Sequence, residues 1–284
     1  MLSIITALYK TGRYLADYTK KIESFVNDLQ QDGFPVEVIL IPREPSPKER
    51  AFIDKLKMHP WCREVDCLTP SVNAAWNEGF LAAQGDAFAF CNADDYRYKG
   101  GTKEALRMIG EGADLVYLPF HIRRYLNLFG RGFFVHRQTI SRQVPEFNDK
   151  TKPEFLRSML CGPFFVFRKS LFERVGPFDE QFRSAGDFDW CIRAAKIGKF
   201  RRGKQLGGSY RVDGSGTSGG GKDFITAENN TICLRHNFED KIKNVSPELM
   251  KRYDPRTIAF RGQKFRVDEN GNLNVSLIPL WPRV

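Results

Sequence analysis

Along the first 118 residues, two patterns of apolar positions alternate: short continuous runs and a spacing of three and four residues. Short apolar runs such as 36–41 predict buried strands, whereas apolar residues three and four apart, as in 14–29, predict amphipathic helices. Strands that alternate with helices of this length indicate a parallel sheet covered by helices on both faces. The predicted strands are 2–7, 36–41, 64–67, 87–91 and 115–118, and the predicted helices are 14–29, 47–58, 71–83 and 103–109.

The pattern changes after residue 119. Residues 120–160 mix aromatic residues, arginines and polar turns, and a regular helix pattern returns at 188–197. The glycine-rich stretch 209–221 predicts a loop, and Asn270-Gly271 between alternating runs predicts a hairpin within 264–275. We therefore divide the chain into a first α/β half (1–120), a second half of the same domain (121–221) and a C-terminal accessory extension (222–284).

Composition limits the possible classes of protein. The 284 residues are 42% hydrophobic and 27% charged, which is typical of a folded protein. No apolar run approaches the roughly 18 residues of a membrane-spanning helix, and the first residues do not resemble a signal peptide, so we expect a cytoplasmic protein, with peripheral membrane contact left open. The six cysteines show no Cys-x-x-Cys spacing and are interpreted as reduced, packed thiols.

Positive charge is concentrated in one part of the chain. Residues 1–120 carry 14 Lys and Arg against 17 Asp and Glu, residues 121–211 carry 19 against 8, and residues 212–284 carry 11 against 9. A solvated surface explains dispersed charge, but a local excess also suggests an anionic partner.

Polar residues follow several of the predicted strands, where an open parallel sheet binds its ligands. These places are Thr6-Ala7-Leu8-Tyr9-Lys10, Asn92-Ala93-Asp94-Asp95, Ala185-Gly186-Asp187-Phe188-Asp189-Trp190 and the glycine loop with Tyr210 and Asp213. Each also has a purely structural interpretation. Asp187 or Asp189 could cap a helix, and Asp94 and Asp95 could belong to a turn. The glycine loop matches neither a P-loop nor a dinucleotide fingerprint.

The order of these motifs resembles that of the inverting GT-A family 2 glycosyltransferases. The series comprises Thr6 and Tyr9 after the first strand, Trp76-Asn77-Glu78-Gly79, Asn92-Ala93-Asp94-Asp95, Gly176-Pro177-Phe178-Asp179-Glu180 and Ala185-Gly186-Asp187. It runs from about Leu2 to about Ser218 and is most similar to the subgroup whose metal motif reads Asn-x-Asp-Asp. The resemblance implies a mixed, mainly parallel sheet flanked by helices, with a C-terminal accessory tail.

The resemblance also implies roles for individual residues. Asp187 matches the acid that takes the proton of the acceptor hydroxyl, with Asp189 and Trp190 behind it on the acceptor side. Asp94 matches the main ligand of Mn²⁺ or Mg²⁺, with Asp95 beside it, and Asp213 stands where a histidine often serves as a further metal contact. The second strand normally ends in an aspartate that contacts the base of the donor, but here Arg43 follows Pro42. The remaining residues expected at the donor are Thr6, Ala7, Tyr9, Asn73, Trp76, Asn77, Asn92 and Ala93.

The chemistry of sugar transfer from a nucleoside diphosphate also requires carboxylates. A nucleoside diphosphate leaves with developing negative charge, which a divalent ion on carboxylate oxygens stabilises. A sugar hydroxyl has a pKa far above 7, so its attack needs a carboxylate that accepts the proton. One group of carboxylates that binds the metal and a separate carboxylate that acts as the base are consistent with sugar transfer by a single displacement with inversion.

The acceptor is expected at the middle segment, where Arg123, Arg124 and Arg131 interleave with aromatic residues. A neutral glycan fits if these arginines only line a surface, whereas an anionic polymer such as DNA fits if they bind phosphates. Two other function classes stay open at this point. One is a nucleotidyltransferase and the other is a non-catalytic binding module with the same fold.

Overall fold

The central layer of the protein is a mixed sheet. The computed structural model describes residues 1–128, 131–140, 145–213, 222–279 and 281–282, with the backbone alone for 127, 128, 131–133, 139, 140 and 222. Within this part of the chain the sheet has seven strands in the order β10-β6-β9-β4-β1-β2-β3. They are β1 (Leu2–Leu8), β2 (Val36–Pro42), β3 (Cys62–Glu64), β4 (Ala87–Phe90), β6 (Leu115–Tyr117), β9 (Val166–Arg168) and β10 (Phe200–Arg202).

Most neighbouring strands in this sheet are parallel, as the alternation of strands and helices predicts. Strand β1 pairs in parallel with β2 and β4, β2 with β3, and β10 with β6, whereas β9 runs antiparallel to both β4 and β6. The helices are α1 (Leu15–Gln31), α2 (Pro47–Lys57), α3 (Val72–Ala82), α4 (Lys99–Gly110), α5 (Lys152–Phe155), α6 (Lys169–Val175), α7 (Gly186–Ile197), α8 (Lys222–Arg235) and α9 (Pro247–Met250).

Each face of the sheet has its own hydrophobic core. Ile4 of β1 packs with apolar residues of α1 on one face, and Ile5 packs with α3 on the other, because successive side chains of a strand point to opposite faces. The helix α3 lies very close to the sheet at Gly79, where an added Cβ would stand 2.5 Å from Ile5 Cγ2 and 2.7 Å from Ile41 Cδ1. Because Gly79 has no side chain, α3 can pack directly against the Ile5 and Ile41 side chains of the sheet.

The helix boundaries have local causes. Ser46 precedes α2 with Pro47 in its first turn, and its hydroxyl and the Glu49 carboxylate form a reciprocal capping box. In α1 the buried positions Leu15, Ile22 and Leu29 recur at seven-residue spacing, which keeps them on the face that meets the sheet.

A smaller sheet stands beside the central one, in a region where the sequence pattern predicts no regular structure. Among the described residues its order is β5-β11-β7-β8, from β5 (Tyr96–Arg97), β11 (Gly208–Val212), β7 (Phe120–Leu128) and β8 (Arg131–Ile140). Strands β7 and β8 form a long antiparallel hairpin that pairs with the rest of the sheet only through β11. The regular alternation was hidden because both faces of the hairpin carry arginines and aromatic residues.

The predicted C-terminal hairpin lies earlier in the chain than 264–275. Strands β12 (Thr257–Phe260) and β13 (Gln263–Arg266) are joined by Arg261 and Gly262, which have φ of +47° and +75°. The Arg261 conformation is held by two 2.6 Å hydrogen bonds to the Glu78 carboxylate. The Asn270-Gly271 turn exists, but only a single bridge between Val267 and Leu273 closes it.

The C-terminal extension is integrated into the core of the protein. Its residues Ile258, Phe260 and Trp281 belong to the apolar cluster on the face of the central sheet that α3 covers. The Trp281 indole also donates to the Glu173 carbonyl at 2.9 Å. No helix in the described part of the chain is both long and apolar enough to span a membrane.

Buried ion pairs join this extension to the rest of the protein. Arg235 at the end of α8 lies 2.7 Å from Asp179 Oδ2 and 2.8 Å from Asp189 Oδ1, and all three side chains are fully buried. Arg193 and His236 contact the same Asp189 carboxylate at 2.9 and 3.0 Å. Burial alone would raise the pKa of Asp189, but the Arg235 and Arg193 guanidiniums hold it well below the usual range.

We predict that Arg235→Met lowers the free energy of unfolding by about 3–5 kcal/mol, because it leaves two carboxylates buried without their common cation. Urea denaturation at pH 7.5 measures the change. Arg256→Met is the matched control, since Arg256 is exposed and its pair with Asp254 spans 3.8 Å. Equal unfolding midpoints for the two variants would show that the buried pairs do not hold the extension in place.

Candidate functional site

Asp187 lies in the first turn of α7, where the sequence predicts it. Its Oδ1 accepts the Phe188 N–H at 2.8 Å, and the side chain is only partly exposed. Burial raises the pKa of Asp187 to about 6, with a further contribution from the Glu228 carboxylate. A carboxylate with this pKa is largely ionised at neutral pH and remains a much stronger base than an ordinary aspartate.

The segment before Asp187 is held by a carboxylate that the sequence analysis missed. Glu228 of α8 is fully buried and accepts the backbone N–H groups of Arg183, Ser184 and Ala185 at 2.6, 2.9 and 2.9 Å. Three successive donors on one carboxylate fix the chain just before the turn of α7. No local motif marks Glu228, because the backbone groups that it binds lie more than 40 residues earlier in the chain.

Asn73, Trp76 and Asn77, which the sequence predicts at the donor, contact this same segment from α3 in the structure. The Asn73 amide donates to the carbonyls of Asp179 (3.1 Å) and Phe182 (2.7 Å), and the Asn77 amide donates to the Phe178 carbonyl (2.9 Å). Both asparagines are fully buried. The Trp76 ring packs 4.4 Å from Phe90 and 5.5 Å from Phe178.

Asp189 and Trp190 are also enclosed, and neither can contact an acceptor in this conformation. Asp189 is the centre of the buried ion pairs described above. Trp190 is fully buried, stacks 4.9 Å from Phe178 and donates its indole N–H to the Gly176 carbonyl at 3.0 Å. Both side chains hold α7 in place and so help to present Asp187.

Asp95 follows β4 and links it to β11. Its Oδ1 accepts the Arg211 N–H at 2.9 Å, its Oδ2 accepts the Asn92 amide at 3.1 Å, and the residue is 4% exposed. Burial and the neighbouring Asp94 raise the pKa of Asp95 to about 8. Asp95 is thus engaged in structural contacts through both oxygens.

Asp94 is the more accessible carboxylate at this strand end. Burial and the repulsion from Asp213 raise its pKa, whereas Arg211 and Arg13 act in the opposite direction. Apart from its own backbone N–H, no hydrogen-bond donor from the described residues engages the Asp94 side chain. Asp94 after β4 and Asp213 after β11 are therefore close enough to interact electrostatically.

Asp213 is surrounded by groups that neutralise it. Its Oδ2 accepts from the Tyr14 hydroxyl at 2.7 Å and from Arg211 Nε at 2.9 Å, and Arg13 lies 3.8 Å away. The described part of the chain contains no group of three or more His, Cys, Asp or Glu side chains arranged to hold a metal ion.

Asp187 has a different set of neighbours. Its pKa responds to Glu228 and not to Asp94, Asp95 or Asp213, and no contact within the described residues joins it to these three. The structure thus gives two separate acidic positions, one at the end of β4 and one at the start of α7.

The ends of β1 and β2 present an exposed aromatic ring. Tyr9 is 47% exposed, and the Arg43 guanidinium and Lys10 ammonium each lie 5.1 Å from its ring centre. Lys10 and Glu44 have φ of +55° and +47°, an uncommon conformation for residues other than glycine. A flat ring with a guanidinium beside it suits a planar, polar ligand such as a nucleobase.

The other residues expected at the donor lie deeper. Thr6 is fully buried, donates to the Cys91 carbonyl at 2.8 Å and lies 2.7 Å from the Tyr18 hydroxyl, so its hydroxyl links β1 to the residue that follows β4. Ala93 is buried, whereas Ala7 and Asn92 are partly exposed.

The predicted acceptor arginines lie on the β7–β8 hairpin. Arg123 pairs across the small sheet with Arg211 of β11, and Arg124 is exposed at the next position. Arg131 begins β8, and its side chain lies outside the described set. The Arg211 side chain, which the sequence analysis did not single out, connects this hairpin to Asp213.

Comparisons with known proteins agree with this arrangement. The family model described as glycosyl transferase family 2 matches residues 3–176, which is more than half of the chain. The crystal structure of S. aureus TarS 1-349 is 17% identical with a TM-score of 0.59, covering 88% of this chain and 68% of that one. The crystal structure of TarS 1-349 in complex with UDP-GlcNAc is 16% identical with a TM-score of 0.59, covering 88% of this chain and 72% of that one.

Other comparisons give the extent of the similarity. TarS 1-349 in complex with UDP is 18% identical with a TM-score of 0.56, covering 88% of this chain and 68% of that one. The longer TarS structure is 17% identical with a TM-score of 0.58. The similarity covers 88% of this chain and 41% of that one. A search of functionally curated proteins found no match.

The family match confirms the resemblance inferred from the motifs, and the similar structures confirm the GT-A fold. It also decides between the function classes left open by the sequence, because it identifies an enzyme that uses a nucleotide-sugar donor and not a nucleotidyltransferase or a binding module. The chain belongs to glycosyl transferase family 2 and is a glycosyltransferase with the GT-A fold.

Proposed function

We propose that this protein transfers a sugar from a UDP-sugar to an acceptor hydroxyl by a single, metal-dependent displacement that inverts the anomeric centre. The observation that carries the proposal is the separation of two acidic positions. Asp94 stands at the end of β4 without a side-chain donor from the described residues, and Asp187 stands at the start of α7 with a pKa raised by burial to about 6. Such a division suits one carboxylate for the leaving diphosphate and one for the incoming hydroxyl.

The donor side is proposed to lie at the ends of β1, β2 and β4. Tyr9 offers its exposed ring to the base, and Arg43 beside it supplies the polar contact that an aspartate supplies in many relatives. The TarS structures in complex with UDP and UDP-GlcNAc support a uridine donor and make UDP-GlcNAc the first compound to test.

Asp94 is the residue proposed to hold Mn²⁺ or Mg²⁺. The chemistry of the site fits a cation, because Asp94 and Asp213 repel one another and the pKa of Asp94 is raised by burial and by that repulsion. A bound divalent ion stabilises the negative charge of the leaving diphosphate. Asp213 pairs with Arg211 at 2.9 Å and lies 3.8 Å from Arg13, so it is proposed to contribute less to cation binding than Asp94.

The transfer step is proposed to use Asp187 as general base. Its carboxylate accepts the proton of the acceptor hydroxyl while the hydroxyl oxygen forms a bond to the anomeric carbon. The bond from that carbon to the diphosphate oxygen breaks, and UDP leaves with the electron pair. Glu228, Asn73 and the buried Asp189 pairs act as positioning residues, since they hold the segment that carries Asp187.

We predict that Asp187→Asn lowers the turnover number about 10²- to 10⁴-fold, because the amide cannot accept the proton. Transfer from UDP-GlcNAc is followed by UDP release, and donor binding by isothermal titration is expected to stay within threefold of the wild type. Asp223→Asn, which removes an exposed acid in the first turn of α8, is the control. Near-normal turnover in Asp187→Asn would contradict the base assignment.

The same variant is expected to be more stable than the wild type at neutral pH. The pKa of Asp187 is raised in the folded protein to about 6, so folding penalises its ionised form once the pH exceeds the unfolded value. Replacing it with asparagine therefore raises the unfolding free energy at pH 7.5 by about 1–3 kcal/mol. Urea denaturation is expected to show this gain shrinking as the pH falls through 6 and vanishing near pH 4.

We also predict an acid limb in the pH profile. Because the base must be ionised, log kcat is expected to fall with unit slope below about pH 6 in the wild type. Glu228→Gln keeps the size of the positioning side chain but removes the charge that raises the pKa of Asp187, so its acid limb should move to lower pH. An unchanged limb in Glu228→Gln would argue against coupling between the two carboxylates.

Asp94→Asn is expected to remove the dependence of donor binding on the metal ion. In thermal-shift measurements the wild type should be stabilised by UDP with Mn²⁺ more than by UDP alone, and the variant should show no additional shift with Mn²⁺. Asp86→Asn, which changes an exposed acid at the other end of β4, is the matched control. A wild-type protein that gains nothing from Mn²⁺ would contradict the proposed metal dependence.

A further inference from the structure

Three arginines lie side by side on one face of the small sheet. Arg211 of β11 is the direct partner of Arg123 of β7, which is in turn the direct partner of Arg137 of β8. Directly paired residues point to the same face, and neighbouring strands are about 4.8 Å apart. Like charges in such register destabilise a sheet unless counter-charges offset them.

The counter-charges cover only one end of this arginine row. Arg211 donates to Asp213 and stacks 3.7 Å from the Tyr125 ring centre. Arg123 Nε is buried without a hydrogen-bond partner in the described part of the chain, and no described carboxylate lies within ion-pair distance of Arg123 or Arg137. Residues 120–142 include five arginines and no acid, so the local sequence does not supply one either.

The surrounding groups reflect this excess of positive charge. Burial lowers the pKa of His121, and Arg137 and Arg123 lower it further. The same two arginines line an open depression of about 600 Å³ on the hairpin. Its other lining residues are Tyr125, Phe134, Val135 and His136, of which Phe134 is 56% exposed.

The depression adjoins the carboxylates at the strand ends. The backbone N–H of Arg211 donates to Asp95 Oδ1 at 2.9 Å, and Arg211 is the direct strand partner of Arg123, which lines the depression. A ligand in the depression would thus lie beside the proposed transfer site, on an element separate from Tyr9 and Arg43.

We propose that Arg123 and Arg137 form a binding subsite for a phosphodiester group of the acceptor. The inference rests on the proposed function and specifies its acceptor: a chain of hydroxyl-bearing units joined by phosphodiesters. Guanidinium groups bind phosphate oxygens through paired, charge-assisted hydrogen bonds, and an anion between the two arginines offsets their repulsion. Phe134 provides an apolar surface for the unit next to the phosphate.

Binding of two probes with six phosphates each tests the subsite: a 5′-phosphorylated thymidine hexanucleotide and a hexamer of glycerol phosphate, each with a fluorescent label. We expect at least one of them to bind at 50 mM salt, with affinity that falls as salt rises. Arg123→Gln/Arg137→Gln should weaken that binding at least tenfold and lower the salt slope by about 1.4–1.8. Preference for one probe identifies the backbone that carries the phosphodiester, and either preference supports the subsite.

Arg124, which the sequence also predicts at the acceptor, lies on the opposite face of β7 from the arginine row and does not line the depression. Arg124→Gln removes the same charge from this adjacent position and is therefore the matched control. We expect it to weaken binding less than threefold. The single variant Arg137→Gln, at an exposed position, provides a second test if the double variant is poorly folded. Failure of both probes to bind the wild type, or equal losses in Arg124→Gln and Arg137→Gln, would overturn the proposal.

Donor measurements separate this inference from the proposed function. The arginine variants should bind UDP with wild-type affinity, and a parallel loss of UDP binding would overturn the acceptor assignment by placing the arginines at the donor. Conversely, if Asp187→Asn transfers normally while the phosphodiester probes still require Arg123 and Arg137, the catalytic proposal fails and the subsite stands.

Discussion

The buried pairing of Arg235 with Asp179 and Asp189 is the constraint on which the architecture depends. The three groups come from α8, from the segment after α6 and from α7, and none of them reaches solvent. A charge in such a place is stable only with its partners, so these elements must form together. The pairing also places Glu228, seven residues before Arg235 on α8, where it binds the segment that leads to Asp187. Fully buried residues thereby determine where the proposed base lies.

Regular spacing explains which parts of the fold could be predicted from the sequence. Most strands and helices of the first 118 residues follow single periods, because each is buried on a defined face. The predicted strand 64–67 is misplaced, since β3 spans Cys62–Glu64. The β7–β8 hairpin was missed because Tyr125, Phe134 and the arginines along both strands give neither face a consistent polarity. The C-terminal hairpin was misplaced because Asn270-Gly271 is the stronger turn signal. The turn at Arg261 depends instead on Glu78, a residue 183 positions away.

The candidate site divides in a similar way. Asp94 and Asp187 lie directly after a strand and at a helix start, so their neighbourhood follows from local order along the chain. Asn73, Asn77 and Asp189 have the same residue types as ligand-binding groups, but their depth depends on elements that a linear pattern does not place. Thr6 is similar, since its contact with Cys91 exists only once β1 and β4 are paired. Residue type alone therefore overestimates how many polar groups near the strand ends are accessible.

The attachment of the β7–β8 hairpin has a consequence for how this enzyme can diversify. Its backbone hydrogen bonds to the rest of the small sheet pass through β11, and β8 is an edge strand of the described sheet. Insertions or exchanged side chains at the distal part of the hairpin would leave the register of the seven-stranded layer unchanged. Homologous enzymes could accordingly evolve recognition of new recipients on an inherited nucleotide-handling scaffold by remodelling this single appendage.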